Sequence, residues 1–283
     1  MTTISYYKNG NYTVTLKSDG TKIRRYSDEP APEFPESLDL KVTNYCDAGC
    51  AYCHEQSVTT GKHGDSAQIL DRILKLPRGV ELAIGGGNPL DHPDIVPMLQ
   101  EIRRSGLVPS MTVNEKHIDD IPKVSDLVYG LGISCTGKHQ LPERENIVVH
   151  LIAGVNTLSD LGWYLDRGET VLVLGYKDYG RGQKYRLIDE RLNTKLRQWK
   201  THIGKYLSVG HISFDNLAIN QLQIEKHLTE DQWSEMYMGN DGQFTMYFDG
   251  VKMQYAKSSV SERHDADKPI ASWFTSQLQR NKT

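Results

Sequence analysis

The stretch Cys46-Asp47-Ala48-Gly49-Cys50-Ala51-Tyr52-Cys53 contains three of the four cysteines of the chain. Thiolates separated by three residues and then by two can converge on one metal centre. A cysteine pair at either spacing would be a weak signal, whereas three cysteines with Gly49 to curl the loop and an aromatic residue before the last are a strong one. No fourth cysteine lies in the loop. A metal cluster bound there would therefore keep one metal free to bind a small molecule.

The loop resembles the signature of the radical SAM superfamily, Cys-x3-Cys-x-aromatic-Cys, in which Cys46, Cys50, Tyr52 and Cys53 fill every place. The resemblance implies a [4Fe-4S] cluster on the three cysteines, with S-adenosylmethionine (SAM) chelated to the open iron. It implies that SAM is cleaved reductively to a 5′-deoxyadenosyl radical, which takes a hydrogen atom from a substrate. The wider sequence pattern resembles radical SAM proteins of bacteria and their phages, and it identifies no substrate.

Two other readings of the cysteine loop stay open. The first is a zinc-stabilised binding protein with His54 or Cys135 as the fourth ligand. Zinc sites usually gather two spaced ligand pairs, and no second Cys-x2-Cys or His-x3-His follows here. The second is a relative that binds the cluster and SAM without catalysis. A disulfide role is weaker still, because nothing in the sequence suggests secretion.

Composition narrows the class of protein further. The chain has 283 residues and a net charge of -3, enough for one large α/β domain with extensions or two small ones. Balanced charges argue against a broad nucleic-acid-binding or membrane-binding surface. No apolar run is long enough to span a bilayer and no N-terminal signal pattern is present. We expect a cytoplasmic protein.

Alternating apolar residues predict six core strands in an α/β fold. The predicted strands cover residues 37–44, 80–84, 108–114, 127–135, 147–153 and 170–176. With crossover connections they form a partial (β/α)6 TIM-like barrel. Such barrels carry their chemistry at the C-terminal ends of the strands. The cysteine loop and the Gly85-Gly86-Gly87 triplet both follow strand ends, as this rule requires.

The sequence predicts that the chain has three parts. Residues 1–36 form a small N-terminal β-meander and linker, 37–211 the radical SAM core, and 212–283 a C-terminal extension that covers the barrel. Within the core, Asp65 is expected to cap a helix that ends near Pro77, and one long helix is expected after Gly182. In the extension we expect a strand over 212–222, a helix capped by Thr229, a two-residue hairpin turn at Asp249-Gly250 and a final helix over 270–278.

The sequence Gly85-Gly86-Gly87-Asn88-Pro89 is the second candidate motif. It could be an ordinary turn from strand to helix, or a place where bare backbone approaches a ligand. In the radical SAM family the corresponding motif is Gly-Gly-Glu-Pro, which holds the amino group of SAM. Asn88 replaces the acid here, although its carbonyl oxygen can still accept hydrogen bonds from an ammonium group.

Strand parity and the family resemblance suggest the remaining SAM contacts. Asn114 and Ser134 should point into the barrel, toward the ribose or the methionine carboxylate, unless they cap helices. The same parity turns Cys135 outward, as a small buried hydrophobic residue. Family positions that form the adenine wall are matched by Ile152 and Gly154, and the backbone of Tyr176 should lie near the adenine.

Candidate residues on the substrate side are His150, Lys177 and Arg181. His150 could equally be a structural histidine, and the two cations could lie in a solvated loop. A lysine and an arginine at the barrel mouth could bind an anionic group. We expect the substrate to be a small molecule, nucleotide or peptide. The resemblance also implies a reducing partner such as flavodoxin or ferredoxin.

Overall fold

The computed structural model describes residues 2–280. Its main sheet has ten strands, in the spatial order β10-β9-β8-β7-β6-β5-β4-β11-β12-β13. Strands β4 to β11 pair in parallel, and β12 and β13 add antiparallel strands beside β11. The ten strands are β4 (Ser37–Thr43), β5 (Glu81–Gly86), β6 (Val108–Asn114), β7 (Gly130–Ser134), β8 (Ile147–Ile152), β9 (Thr170–Leu174), β10 (Ile212–Phe214), β11 (Thr245–Asp249), β12 (Gln254–Ala256) and β13 (His264–Asp265).

Helices cover the outer face of this sheet and form the main core with it. Buried side chains from alternate strand positions, such as Leu38, Leu40 and Val42, pack against the apolar faces of the helices. The α-helices are α1 (Ser66–Ile73), α2 (Ile95–Ser105), α3 (Leu158–Leu165), α4 (Arg181–Ile188), α5 (Leu192–His202), α6 (Asn216–Leu222), α7 (Glu230–Met236) and α8 (Ile270–Arg280). Short 3-10 turns and loops replace α-helices between β6 and β7 and between β7 and β8.

This arrangement confirms the predicted α/β partial barrel, and it extends the barrel beyond the six predicted strands. β10 pairs in parallel with β9 at one edge. β11 pairs in parallel with β4 on the other side, in the register Tyr247 to Asp39. Segments on both sides of the predicted boundary at residue 211 thus belong to one sheet. The division into parts at 36 and 211 stays a prediction.

A separate three-stranded antiparallel sheet precedes the barrel, in line with the β-meander predicted there. It contains β1 (Thr3–Asn9), β2 (Tyr12–Lys17) and β3 (Lys22–Arg25). The buried carboxylate of Glu36 joins this sheet to the barrel. It accepts hydrogen bonds from the Tyr12 hydroxyl at 2.7 Å and from Arg24 Nε at 2.8 Å. Arg24 also stacks on the Phe244 ring, with its guanidinium carbon 3.8 Å from the ring centroid.

Three local predictions are wrong. Residues 212–222 are not one strand, because the Asp215 side chain accepts a hydrogen bond from the backbone N–H of Ala218 at 2.7 Å and starts helix α6 after β10. The helix expected after Gly182 is two helices, separated where Asp189 adopts an extended backbone (φ −90°, ψ 90°). The turn between β11 and β12 has four residues, 250–253, because Asp249 pairs with Gln254.

Other local predictions are confirmed. The Asp65 side chain caps α1 by accepting a hydrogen bond from the N–H of Gln68 at 2.9 Å. Thr229 and Gln232 form the expected reciprocal capping box at the start of α7. Among residues 2–280, no helix is long and apolar enough to cross a membrane.

Candidate active site

A cavity of about 580 Å³ lies inside the barrel. Its volume falls in the range of small-molecule and cofactor sites, roughly 300–1,000 Å³. The wall includes side chains or backbone from β4 to β9, the cysteine loop, and segments that follow β9 and β10. The sequence-predicted residues that line it are Cys46, Cys50, Tyr52, Cys53, Gly85, Gly86, Gly87, Asn114, Ser134, His150, Ile152, Tyr176 and Lys177.

Backbone pairing with a returning segment gives the cysteine loop its shape. The N–H of Cys46 donates to the Val58 carbonyl at 3.1 Å, and the N–H of Asn44 donates to the Lys62 carbonyl at 2.8 Å. A tight turn follows, in which the N–H of Cys53 donates to the Cys50 carbonyl at 3.2 Å. Strand β4 thus ends in a closed loop whose three cysteines face the same cavity.

The glycine triplet packs directly under this loop. The N–H of Gly87 donates to the Thr43 carbonyl at 2.8 Å, and the N–H of Asn88 donates to the Tyr45 carbonyl at 2.7 Å. A Cβ at Gly87 would lie 2.0 Å from the Tyr45 carbonyl oxygen, whereas a Cβ at Gly85 would meet nothing within 4 Å. Gly87 therefore allows close approach of two backbones, and Gly85 faces open cavity space.

Arg181 holds the cysteine loop from the opposite side. Its Nε donates to the Cys50 carbonyl at 3.0 Å, and its Nη1 donates to the Ser57 carbonyl at 3.0 Å. Its backbone N–H donates to the Cys53 carbonyl at 3.1 Å. Arg181 does not line the cavity. Its guanidinium therefore supports the shape of the loop.

Polar groups also approach the thiols from inside the barrel. Asn114 Nδ2 lies 3.7 Å from the Cys50 sulfur, within hydrogen-bond distance of it. Burial raises the pKa of the Cys46 thiol, and nearby Cys50 and Cys53 add to the effect. Burial also raises the pKa of Cys50, partly offset by a hydrogen bond from Tyr52. A bound metal would supply the positive charge that thiolates need at neutral pH.

The arrangement of the three thiols limits the metal groups that the loop can hold. Within residues 2–280, no group of three or more His, Cys, Asp and Glu side chains is arranged to hold a single metal ion. A cluster of four irons binds each cysteine through a different iron, so its sulfurs stand further apart than the ligands of one ion. The site fits an iron–sulfur cluster that also binds a small molecule. It has three thiols that face the cavity, an amide group near the Cys50 sulfur, and open space beside them.

Two of the proposed SAM contacts do not line the cavity. The Asn88 side chain donates to Asp91 Oδ2 at 2.8 Å and accepts from the N–H of Leu90 at 3.3 Å. These bonds stay within the turn, as in the alternative of an ordinary turn from strand to helix. A Cβ at Gly154 would lie 2.8 Å from side-chain atoms of Leu192 and Leu196 in α5. Both positions support the wall from behind.

Tyr176 lines the cavity, and its backbone N–H and carbonyl are both hydrogen-bonded within the protein. The carboxamide of Gln221 accepts a hydrogen bond from the Tyr176 N–H and donates one to the Tyr176 carbonyl, each at 2.8 Å. Cys135 is buried in the main core, as predicted, and it also borders the cavity; its burial raises the pKa of the thiol to about 11. It is therefore a neutral thiol.

Sequence analysis missed a polar network beside the cysteine loop. Lys41 Nζ lies 2.6 Å from Glu55 Oε2 and 3.5 Å from Asp249 Oδ2. The Tyr247 hydroxyl donates to Glu55 Oε1 at 3.0 Å. These contacts connect Glu55, just after the cysteine loop, to strand β11. The alternation in β4 places Lys41 on the inner face, but the partners on β11 lie about 200 residues away.

The fold and the site together define a barrel protein with a three-cysteine ligand set beside a cofactor-sized cavity. Residues 40–134 match the family model of the radical SAM superfamily. The match spans the cysteine loop and strands β5 to β7. The chain thus carries a radical SAM region, which confirms the family that the cysteine loop predicts, and this family uses SAM and an iron–sulfur cluster.

Relatives with similar sequences cover parts of the chain. A probable GTP 3',8-cyclase of Methanothermobacter thermautotrophicus is 29% identical over 73 residues, 25% of this chain and 24% of that protein. A tungsten-containing aldehyde ferredoxin oxidoreductase cofactor-modifying protein of Pyrococcus furiosus is 27% identical over 128 residues, 42% of this chain and 35% of that protein. The chain thus aligns with only about a quarter to a third of the length of these relatives.

Solved structures share the fold over most of the chain. Streptococcus suis SuiB bound to its precursor peptide SuiA superposes with a TM-score of 0.59 and 12% identity, over 86% of this chain and 65% of that chain. SuiB bound to S-adenosylmethionine gives a TM-score of 0.56 and 14% identity, over 86% of this chain and 64% of that chain. At these identities the similarity concerns the fold.

Proposed function

We propose that this protein is a radical SAM enzyme that binds a [4Fe-4S] cluster through Cys46, Cys50 and Cys53. The observation that carries the proposal is that the three cysteines and the open backbone of Gly85 face one cavity. The family match over residues 40–134, which includes these cysteines, also supports it. When bound, the cluster and SAM supply reductive cleavage of the C5′–S bond, giving methionine and a 5′-deoxyadenosyl radical that abstracts a hydrogen atom from substrate.

The chain's own residues bind and orient these groups. Tyr52 and Asn114 would hydrogen-bond to the Cys50 sulfur and so adjust the cluster potential. Gly85, Gly86 and Gly87 leave space and backbone for the amino acid part of SAM. We assign the nucleoside part to the wall of the barrel, with Ser134, Ile152 and Tyr176 as its lining.

The roles that we propose for Asn88 and Gly154 are indirect. Asn88 orders the turn that carries the glycine triplet, because its side chain is bound to Asp91 and Leu90. Gly154 lets α5 pack closely behind β8. We assign Arg181 to the support of the cysteine loop and keep His150 and Lys177 on the substrate side, because both line the cavity.

The proposal includes partners and location. The cluster needs a low-potential electron donor, such as a flavodoxin or ferredoxin, and a reducing compartment such as the cytoplasm. SuiB has been crystallised with a precursor peptide, and another relative is a probable cyclase of GTP. A small molecule, a nucleotide and a peptide therefore all remain candidate substrates.

Anaerobic reconstitution with iron and sulfide tests the proposal. We expect a brown protein with the broad absorbance of an iron–sulfur centre, and release of 5′-deoxyadenosine after SAM and dithionite are added. The variant in which all three cysteines are alanine should remain colourless. The matched control Cys135→Ala should still bind the cluster, because Cys135 lies in the core.

Each other outcome contradicts the proposal in a distinct way. A colourless wild-type protein that copurifies with zinc would identify a zinc-stabilised binding protein. A brown protein that binds SAM and releases no 5′-deoxyadenosine with any donor would identify a non-catalytic relative.

A further inference from the structure

An aspartate without a protein partner lies on the inner wall of the barrel. Asp39 is in the middle of β4, in register with Ala83 of β5 and Tyr247 of β11. Its neighbours Leu38 and Leu40 are buried in the core, whereas the Asp39 side chain is exposed to the cavity. Within residues 2–280, no hydrogen bond or ion pair reaches its carboxylate. Aspartate is disfavoured in strands, so this position is costly for the fold.

The positive groups near the cavity are committed to protein partners. Lys177 Nζ donates to Ser259 Oγ at 2.8 Å and lies 3.5 Å from His54 Nε2. Lys41 is paired with Glu55 at 2.6 Å. Lys177 is thus hydrogen-bonded to two neutral side chains and keeps its charge, whereas the Asp39 carboxylate faces the cavity with no hydrogen bond from residues 2–280.

Other carboxylates near Asp39 add to the negative charge there. Besides Lys177, the groups that interact electrostatically with it are the carboxylates of Asp215 and Asp241. Asp215 comes directly after β10, and Asp241 lies in the segment before β11. Among the charged side chains that line the cavity, the carboxylates of Asp39, Glu55 and Asp215 outnumber the ammonium groups of Lys41 and Lys177. This small excess of negative charge favours a cation.

A second polar group without a hydrogen-bond partner also lines the cavity, on strand β8. The His150 ring occupies the space left by Gly132, where a Cβ would lie 2.5 Å from its Cε1 atom. No hydrogen bond to either ring nitrogen occurs within residues 2–280. Burial, with a smaller effect of Lys177, lowers the pKa of His150 to about 4, so the ring is neutral at physiological pH. A neutral imidazole offers one donor and one acceptor.

We infer that Asp39 and His150 form a subsite for an amine-bearing substrate. Asp39 binds the protonated primary amine, and His150 hydrogen-bonds to a neutral polar group of the same molecule. This inference rests on the proposed function, because it places the substrate in the cavity shared with SAM. It predicts a cationic substrate group, whereas the lysine and arginine at the barrel mouth suggested an anionic one.

Matched four-carbon probes test the charge preference. Reconstituted, SAM-loaded protein without reductant is dialysed to equilibrium against 1,4-diaminobutane, 1,4-butanediol or succinate. We expect the diamine to bind at least about 10-fold more tightly than succinate. Asp39→Asn should weaken diamine binding about 10-fold, as loss of a charge-assisted contact predicts, and should leave SAM affinity unchanged. His150→Phe should weaken butanediol binding.

Asp166→Asn is the matched control, because Asp166 is an exposed carboxylate at the end of α3 and outside the cavity lining. It should leave diamine binding unchanged. Circular dichroism checks that each variant is folded, and the Asp39→Ser variant replaces Asp39→Asn if the latter does not fold.

Tighter binding of succinate, or a diamine affinity that Asp39→Asn does not change, would overturn the inference. A 10-fold loss of SAM affinity in Asp39→Asn would also overturn it, because Asp39 would then bind SAM. The proposed function fails on a different result: wild-type protein would release no 5′-deoxyadenosine, whichever probes it binds.

Discussion

Gly85 and Gly87 are two positions apart in the sequence and have opposite steric surroundings. Gly87 lies against the Tyr45 carbonyl, and Gly85 borders cavity space. The first position is constrained by the fold and the second is free for a ligand. A single glycine triplet thus combines a packing role with a binding role.

Alanine at each position separates these roles. Gly87→Ala should lose at least about 3 kcal/mol of stability, since its Cβ would overlap backbone that cannot move away without opening the loop. Gly85→Ala should keep wild-type stability, because its methyl group enters open space, and it should weaken SAM binding if SAM occupies that space. Urea denaturation and SAM titration measure the two effects. Equal stability of the two variants would contradict the steric assignment.

The pKa of Asp39 should make the stability of the protein depend on pH. Although the Asp39 side chain borders the cavity, its position inside the barrel removes it from bulk water. This desolvation raises the pKa of its carboxyl from 3.8 to about 6, against an opposing effect of Lys177 and with added repulsion from Asp215 and Asp241. Between these two pH values the folded state binds more protons than the unfolded state. The free energy of unfolding therefore falls as pH rises through this window.

Asp39→Asn should remove this penalty. We expect the variant to be more stable than wild type by on the order of 1 kcal/mol at pH 8, a value reduced for screening by cavity water. The gain should shrink at pH 4.5, where the folded wild-type carboxyl is already protonated. Urea denaturation at both pH values provides the measurement. A gain that grows as pH falls would show that Asp39 is stabilised by a partner.

At the scale of single residues, sequence identified the cysteines and the glycines but missed Asp39. The cysteines are identified because their spacing alone specifies the chemistry. Asp39 alternates with Leu38 and Leu40 and so looks like an ordinary polar strand position. Whether an inward-facing carboxylate has a partner depends on residues from distant strands, and no local pattern contains that information.

Among the elements, the start of α4 and the cysteine loop depend on each other. Arg181 occupies the first position of α4 and donates from its side chain to the carbonyls of Cys50, in the loop, and Ser57, just after it. Charge-assisted hydrogen bonds of this kind contribute about 1.5–3 kcal/mol each when they are well formed. The helix therefore holds the loop in a shape that its own backbone hydrogen bonds do not fully determine.

Arg181→Ala should loosen this loop more than the rest of the fold. We expect a loss of about 2 kcal/mol in stability and a lower iron content after reconstitution. Arg181→Lys should recover only part of both, because an ammonium group lacks the fork that reaches two carbonyls. Lys184→Ala, at an exposed position of the same helix, is the control. Iron content unchanged in Arg181→Ala would contradict the supporting role.

Element prediction succeeded where local signals are strong. The caps at Asp65 and Thr229 act within four residues, and both are confirmed. The strand expected over 212–222 was wrong because Asp215 is a helix cap whose partners include the Gly175 N–H of a neighbouring segment, at 2.9 Å. Local apolar pattern cannot distinguish a buried helix from a buried strand over so few residues.

In the molecule as a whole, one buried carboxylate joins the N-terminal sheet to the barrel. Glu36 binds Tyr12 and Arg24, and Lys22 Nζ lies 3.8 Å from its second oxygen. Its backbone N–H also donates to the Phe244 carbonyl at 2.8 Å. One side chain thus connects β2, β3 and the start of β4.

Glu36→Gln should detach the N-terminal sheet from the barrel. We expect a destabilisation of about 3 kcal/mol, because the charge of Arg24 is left partly buried without its partner. Limited proteolysis should cut residues 26–35 faster in this variant, and hydrogen exchange should increase in β1 to β3. Glu29→Gln, at an exposed position of the same linker, should behave as wild type. Unchanged cleavage in Glu36→Gln would contradict this role.

The partial barrel itself was predictable, because alternating strands and helices with strand-end motifs define it. The positions of β10 and β11 were not, since they depend on register between segments far apart in the chain. Parallel pairing of β11 with β4 joins residues 245–249 to residues 37–41. Hydrophobic periodicity reports which face of a strand is buried, but it does not report its neighbour.

The pairing of β11 with β4 has a consequence for biosynthesis. While a ribosome is still producing the segments up to residue 244, one side of β4 has no neighbouring strand, and its unpaired amides and carbonyls form an edge open to wrong partners. The Lys41 ammonium likewise lacks Asp249 during that time. Iron loading should therefore follow synthesis of β11, and nascent protein should need chaperone protection until residues 245–249 have emerged.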